Sequence, residues 1–235
     1  MVKAGIRINK HTKVKLKTKK AVVLLSGGLD SAVTLYAAKR KGYKVYSLTF
    51  DYGQRHKKEI IAAKKIARLT KSAWRLLKFT MPRKGSSLID RKLSIPKNRA
   101  FDKKIPTTYV PSRNIIFLSL AASYAESLGA EAIFIGANEI DFSGYPDCRL
   151  KFLKSFERTL KLGTKTAVLG KKITICAPLV KKNKAQIIKL AAKLGAPLEH
   201  TWSCYQGKGA PCCVCDSCRL RQQGFKMAKM EDPAL

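Results

Sequence analysis

Residues 21–31 read Ala-Val-Val-Leu-Leu-Ser-Gly-Gly-Leu-Asp-Ser. The five apolar residues Ala21–Leu25 show no polar alternation, which predicts a strand buried on both faces. The next residues predict a tight turn into a helix over Ser31–Lys41, stopped by Gly42. A strand, a glycine turn and a helix in that order aim backbone N–H groups and the positive end of the helix at one point, and that point suits a phosphate. Gly27 and Gly28 let the chain bend sharply, while Ser26 and Ser31 offer hydroxyls. Asp30 is then out of place, because a carboxylate repels phosphate. Its presence makes sense with Mg²⁺ between the two.

Outward from this turn, apolar runs and helical stripes alternate. Strands are predicted at Lys44–Phe50, Ala73–Phe79, Ala132–Gly136 and Ile173–Cys176. Helices are predicted at Gln54–Thr70, Asn114–Leu128, Cys148–Leu162 and Lys184–Leu194, the last stopped by Gly195 and Pro197. Residues 82–111 read as a long basic loop or flap, whose Lys and Arg are placed to neutralise phosphate charge. Alternating strands and helices predict an α/β fold: a doubly wound, Rossmann-like parallel sheet with ligands at the carboxyl ends of its strands. The expected division is a basic N-terminal arm (1–20), a nucleotide-binding domain (21–200) and a cysteine-rich helical C-terminal segment (201–235).

The chain has 235 residues, 46% of them apolar, and carries 48 Lys and Arg against 15 Asp and Glu, a formal charge of +33. Such a field attracts polyanions. It also fits a lysine-rich solvated surface, so the charge alone does not choose an RNA partner. No run reaches ~18 apolar residues, so no membrane span is expected. The basic beginning has no apolar run with a cleavage site, so no secretory signal is expected either.

Five of the seven cysteines fall between Cys204 and Cys218. That clustering points to a reducing cytoplasm and a metal site rather than to disulfides. Cys204, Cys212, Cys215 and Cys218 form C-x7-C-x2-C-x2-C, a thiolate set that suits one tetrahedral zinc, with an iron–sulfur cluster as the chemical rival. Cys213 is read as a bystander, because only Cys212 keeps the two-residue spacing to Cys215. Four cysteine ligands leave no open position, so the metal is expected to be structural.

Glu139, Asp141 and Asp147 crowd into nine residues just past a predicted strand. One reading makes them acceptors for a guanine-like base, with Arg113 or Arg149 clamping a carboxylate and Phe142 or Tyr145 stacking on the ring. The other makes them a polar loop in which Asp147 caps a helix. The residues alone leave both open. His56 is a candidate phosphate donor or base, and equally a surface histidine. Cys148 reads as a buried bystander rather than a nucleophile.

The chain lacks GxxxxGK[ST], and its SGGLDS turn resembles the pyrophosphate-loop ATP enzymes, which transfer AMP to a carboxylate or carbonyl oxygen. Beyond that turn, Phe50-Asp51-Tyr52-Gly53-Gln54-Arg55-His56, VPSRN (110–114), SGYPDCR (143–149), Thr201-Trp202-Ser203-Cys204-Tyr205 and the CxxCxxC run closely resemble the 7-cyano-7-deazaguanine synthases, over roughly Ala21–Phe225. The resemblance implies an adenine nucleotide alpha-hydrolase-type fold. It also implies a reaction of 7-carboxy-7-deazaguanine, ammonia and ATP with Mg to give the nitrile, in queuosine and archaeosine precursor synthesis. One zinc on Cys204, Cys212, Cys215 and Cys218 and a homodimer follow from it too. By the same resemblance ATP lies along Leu24, Leu25, Ser26, Gly27, Gly28, Leu29, Asp30, Ser31, Ala32, Val33 and Thr34. Asp30, Ser31, Arg113 and His56 are the expected catalytic residues. The substrate falls to Arg113, Glu139, Asp141, Tyr145, Asp147 and Arg149. Three departures stand out: Cys213 where glycine is usual, the extra basic arm, and the extreme charge, which leaves a polyanion contact open. Rival readings are a tRNA-thiolating enzyme of the same superfamily, an enzyme that attaches a deazaguanine to a larger molecule, and a non-enzymatic RNA-binding zinc module.

Overall fold

The computed structural model describes residues 18–100, 104–140, 144–207 and 209–234. Most of the expected basic arm and Asp141 lie outside them. Five strands, β1 (Lys20–Leu24), β2 (Lys44–Asp51), β3 (Ala73–Lys78), β4 (Ala132–Phe134) and β5 (Thr174–Cys176), form one sheet in the order β3-β2-β1-β4-β5. All four pairings are parallel; Val23 stands beside Ser47 on one side, and Val22 beside Ile133 on the other. The expected doubly wound sheet is present, and its order reverses at β1, which opens a crevice between β1 and β4.

β1 explains the uninterrupted apolar run. Ala21, Val23 and Leu25 pack on one face with Leu35 of α1 (Leu29–Arg40) and Ile66 of α2 (Lys58–Leu69). Val22 and Leu24 pack on the other with Leu118 of α3 (Arg113–Leu128) and Leu153 of α4 (Leu150–Gly163). Short α5 (Lys165–Val168) follows α4. α6 (Lys184–Leu194) and α7 (Asp216–Ala228) share a third apolar cluster with Leu29 and Val33 of α1, so the C-terminal segment is packed onto the sheet-bearing region. Among the described residues, no helix is long and apolar enough to cross a membrane.

Three differences from the sequence reading have local causes. α2 begins at Lys58 rather than Gln54, because the Gln54 side chain folds back onto β2: its Oε1 accepts from Tyr52 N (2.8 Å) and its Nε2 donates to Phe50 O (3.1 Å). The expected helical C-terminal segment takes its helix as α7, starting only at Asp216 among the last cysteines and running through Gly224. That glycine lets α6 approach, since a Cβ there would stand 2.3 Å from Lys184 Cγ. The described residues of 82–111 form no helix or strand, yet they are no free flap. Met81, Leu88, Ile89, Ile95 and Val110 are buried, and Asn98 N donates to Val214 O (2.9 Å) in the cysteine segment.

Gly27 is the tightest point of the fold. Its φ is +90°, and a Cβ there would meet Glu59 O at 2.0 Å and Ala63 N at 2.7 Å. Positive φ and overpacking together predict that Gly27→Ala lowers the unfolding free energy by roughly 2–5 kcal/mol. Denaturant unfolding measures this; a loss below about 1 kcal/mol contradicts the packing described.

Candidate active site

The carboxyl ends of β1, β2 and β4 open onto one cavity of about 270 Å³. Its floor is the turn after β1. Gly27 N donates to Ser31 Oγ (3.1 Å), Ser31 Oγ to Gly28 O (2.9 Å), and Ser26 Oγ to Ser31 Oγ (3.1 Å), so the turn is braced by its own hydroxyls. Gly136 at the end of β4 presses on the start of α1; a Cβ there would be 3.1 Å from Ser31 N. Residues from the first turns of α1, α2, α3, α6 and α7 (Asp30, Glu59, Arg113, Lys184 and Ser217) line the cavity. Convergent helix N-termini give it a positive field fit for a polyanion.

Within the Leu24–Thr34 span, Leu24–Ser26 and Gly28–Ser31 line the cavity. Ala32 and Val33 turn into the cores, and Thr34 Oγ1 donates to Asp30 O (2.8 Å). The Asp30 carboxylate receives Lys184 Nζ at 2.8 Å on both oxygens. The sequence reading missed Lys184. The usable signal was its place directly after the N-cap Asn183, inside the Asn183–Gln186 capping box, because a cation in a first helical turn opposes the helix dipole.

Arg113 and Tyr145 both line the cavity, as expected. Burial disfavours the Arg113 charge, but Tyr52, Tyr145 and Asp147 around it more than offset this, and its pKa is raised. Arg113 Nη1 donates to Tyr52 Oη (3.4 Å). Tyr145 Oη lies 2.7 Å from Thr108 Oγ1, and burial raises the pKa of Tyr52 and Tyr145, so both stay phenols. This makes a flat, aromatic-walled pocket with a fixed guanidinium.

Other expected site residues lie elsewhere. Asp147 Oδ2 accepts from Asn114 N (3.0 Å) at the start of α3, and Glu139 Oε2 from Leu150 N (2.8 Å) at the start of α4. Neither lines the cavity: buried Asp147 accepts at the start of the earlier helix α3 rather than capping the helix that follows it, and Glu139 accepts at the start of that following helix instead. Arg149 is exposed at the N-cap of α4. His56 is packed away from the cavity, edge-on to Trp202 at 6.4 Å and against Gly207, and burial lowers its pKa. Cys148 does reach the cavity, but burial, then Asp147, pushes its thiol up to about 12, which rules out a ready thiolate nucleophile. No described residue of 82–111 lines the cavity, so the phosphate-neutralising flap is not found there. Sequence reasoning also missed Glu59. Burial raises its carboxyl to about 7, against the opposing pull of Arg113 and of a hydrogen bond from Gln54 Nε2 (3.3 Å).

Cys204, Cys212, Cys215 and Cys218 place their sulfurs within 4.8 Å of one another, close enough for one metal ion. Cys213 is exposed at φ +59°, a conformation glycine adopts freely, and its Sγ lies 3.5 Å from Pro211 O, outside the cluster. The cluster reaches the cavity through its chain neighbours. Trp202 N donates to Gly27 O (2.9 Å), Trp202 and Tyr205 line the cavity, and Lys58 Nζ sits 4.3 Å over the Trp202 ring. Arg221, buried and bonded to Asp232 at 2.6 and 2.8 Å, closes the same side.

The family model of the queuosine biosynthesis protein QueC matches residues 20–229. A 7-cyano-7-deazaguanine synthase of Clostridium kluyveri is 53% identical over 92% of this chain and 96% of its own length. One from Thermoplasma volcanium is 48% identical over 92% and 90%. Among solved structures, an NH3-dependent NAD synthetase of Campylobacter jejuni aligns at 19% identity over 79% of this chain and 68% of that one, with a TM-score of 0.44. With nearly its whole folded length matched, and about half its residues shared with each of two such synthases, this chain belongs to the QueC family of queuosine biosynthesis enzymes.

Proposed function

We propose that the chain converts 7-carboxy-7-deazaguanine and ammonia to 7-cyano-7-deazaguanine with ATP. The observation that supports this reading best is the meeting of a braced serine–glycine turn with an Arg113–Tyr52–Tyr145 pocket in one cavity. The turn suits a triphosphate, and the pocket suits a flat ring bearing a carboxylate. A carboxylate oxygen is a poor leaving group, and AMP transfer makes it a good one. The ring carboxylate attacks the α-phosphorus, pyrophosphate leaves, and ammonia displaces AMP to give an amide. The amide oxygen is adenylated in turn, and AMP departs as the nitrile forms. Acid and amide are close in shape, so one pocket serves both.

Arg113 holds the carboxylate through its fork of donors, and Tyr145 bounds the ring. Ser26 and Ser31 present the turn, and Lys184 fixes the orientation of Asp30. The hard oxygens of Asp30 suit the Mg²⁺ that accompanies ATP. Glu139 and Asp147 act indirectly, by seating α4 and α3. The four thiols suit one zinc, which would hold Trp202 and Tyr205 against the cavity. A homodimer, and a contact with polyanions through the basic surface, belong to the same proposal.

Mass spectrometry of the chain incubated with ATP, ammonium and 7-carboxy-7-deazaguanine is expected to show the amide and then the nitrile; neither product refutes the reading. Asp30→Ala is expected to cut AMP release at least about a hundredfold, and near-normal turnover refutes its role. Arg113→Lys keeps the charge but loses the fork, and is expected to weaken carboxylate binding by roughly tenfold, read as KM. For the metal, Cys212→Ser is expected to abolish stoichiometric zinc. Cys213→Gly is expected to keep it and gain about 1 kcal/mol by relieving a left-handed residue. Elemental analysis and thermal melts separate the two, and loss of zinc in Cys213→Gly overturns the ligand assignment.

A further inference from the structure

Glu59 is a carboxylate on the cavity wall that the proposed reaction has not yet used. It stands in the first turn of α2, and its carbonyl backs directly onto Gly27 of the phosphate-binding turn. The charged and titratable groups that face it come from several elements. Arg113 comes from the start of α3, and Tyr52 from the end of β2; Gln54 Nε2 donates to it at 3.3 Å. Across the same cavity Asp30 is neutralised by Lys184, whereas Glu59 keeps a neutral amide as its hydrogen-bond partner. Glu59 thus shares the cavity wall with Arg113, within reach of its charge, and faces the space assigned above to the reacting carboxyl carbon.

We propose that Glu59 is the proton acceptor of the nitrogen chemistry in this cavity, an inference that rests on the nitrile-forming reading above. The reaction needs such a group more than once. As ammonia attacks the adenylated carboxyl carbon, a C–N bond forms and the C–O bond to AMP breaks. AMP leaves with the electron pair, and one N–H proton passes to Glu59. After the amide oxygen has been adenylated, the nitrogen gives up its two remaining protons in turn, the first leaving a neutral O-adenylated imidate and the second leaving last, and Glu59 releases each to solvent before taking the next. The last N–H pair becomes the third C–N bond as the second AMP departs. The acceptor has to coexist with the substrate's own carboxylate, which an ionised Glu59 would repel. A carboxyl that burial holds near 7 meets both demands: it is neutral often enough to admit the acid, and basic enough to take a proton from nitrogen.

The test uses the full chain, Glu59→Gln and Glu59→Asp. Adenylation is followed by carboxylate-dependent exchange of labelled pyrophosphate into ATP without ammonia. Nitrogen chemistry is followed by amide and nitrile yield with ammonium, with rates compared at equal free ammonia. Glu59→Gln is expected to keep exchange within a few-fold of wild type while amide and nitrile formation fall about a hundredfold or more, and Glu59→Asp is expected to recover part of the loss. The wild-type rate is expected to rise through about pH 7 and the Glu59→Gln residual rate to lack that limb. Equal loss of exchange, or nitrile formation within threefold of wild type, overturns the assignment. Absence of exchange and nitrile in wild type instead overturns the reaction it rests on. Folding is checked by melting. A raised carboxyl pKa means that stability is lost as pH climbs from the ordinary carboxylate range through about 7, so Glu59→Gln should match wild type at pH 5 and melt higher at pH 8.5.

Discussion

Gly27 sits where three stretches of backbone converge, and the site depends on how closely they approach. α2 lies against its α-carbon, Trp202 donates to its carbonyl, and Ser31 accepts from its amide. Any side chain at this position would separate α2, the start of α1 and the cysteine segment at once. The contact fixes which groups share the cavity. α2 brings Glu59, α1 brings Asp30, and the cysteine segment brings Trp202 and Tyr205. It also ties the four-thiol cluster to the cavity: what orders the segment around Cys204 orders the wall over the serine–glycine turn.

Charge is distributed with the same economy. In a chain of +33, few acids are available, and several of the described ones meet a specific donor. Asp147 and Glu139 face the exposed N–H groups of helix starts, Asp232 meets Arg221, and Asp30 meets Lys184. Such pairings contribute through geometry more than through raw attraction, since removing one partner leaves a buried charge uncompensated. Glu59 stands apart because burial raises its proton affinity by more than the pull of Arg113 and the Gln54 amide lowers it.

The strands and the tight serine–glycine turn were legible because their signals are local. An apolar run of five, two glycines and the start of a helix lie within eleven residues. The clustering of Cys204, Cys212, Cys215 and Cys218 was legible for the same reason, with Cys213 outside it. What the sequence hid was long-range. Lys184 reaches Asp30 across 154 positions, and Glu59 acquires its character only where α2 meets α3. The acid-rich loop misled because a carboxylate that accepts from a helix start and one that accepts from a base look alike in sequence, and only the fold shows which donors arrive. His56 misled similarly: its motif neighbours line the cavity, but its ring points to Trp202.

The long connection between β3 and α3 is fastened near its middle. Asn98 donates to Val214, Arg99 Nε pairs with Asp216 at 3.1 Å, and Arg219 donates to the Arg99 carbonyl at 2.5 Å. One excursion of some thirty residues therefore behaves as two short ones. Because closure entropy grows only logarithmically, at ~0.6 kcal/mol per doubling, either half can lengthen at small cost. Insertions that would unseat an unfastened loop are thus absorbed on one side of Arg99 without disturbing the other, which leaves this part of the surface open to drift while the cavity behind it stays fixed.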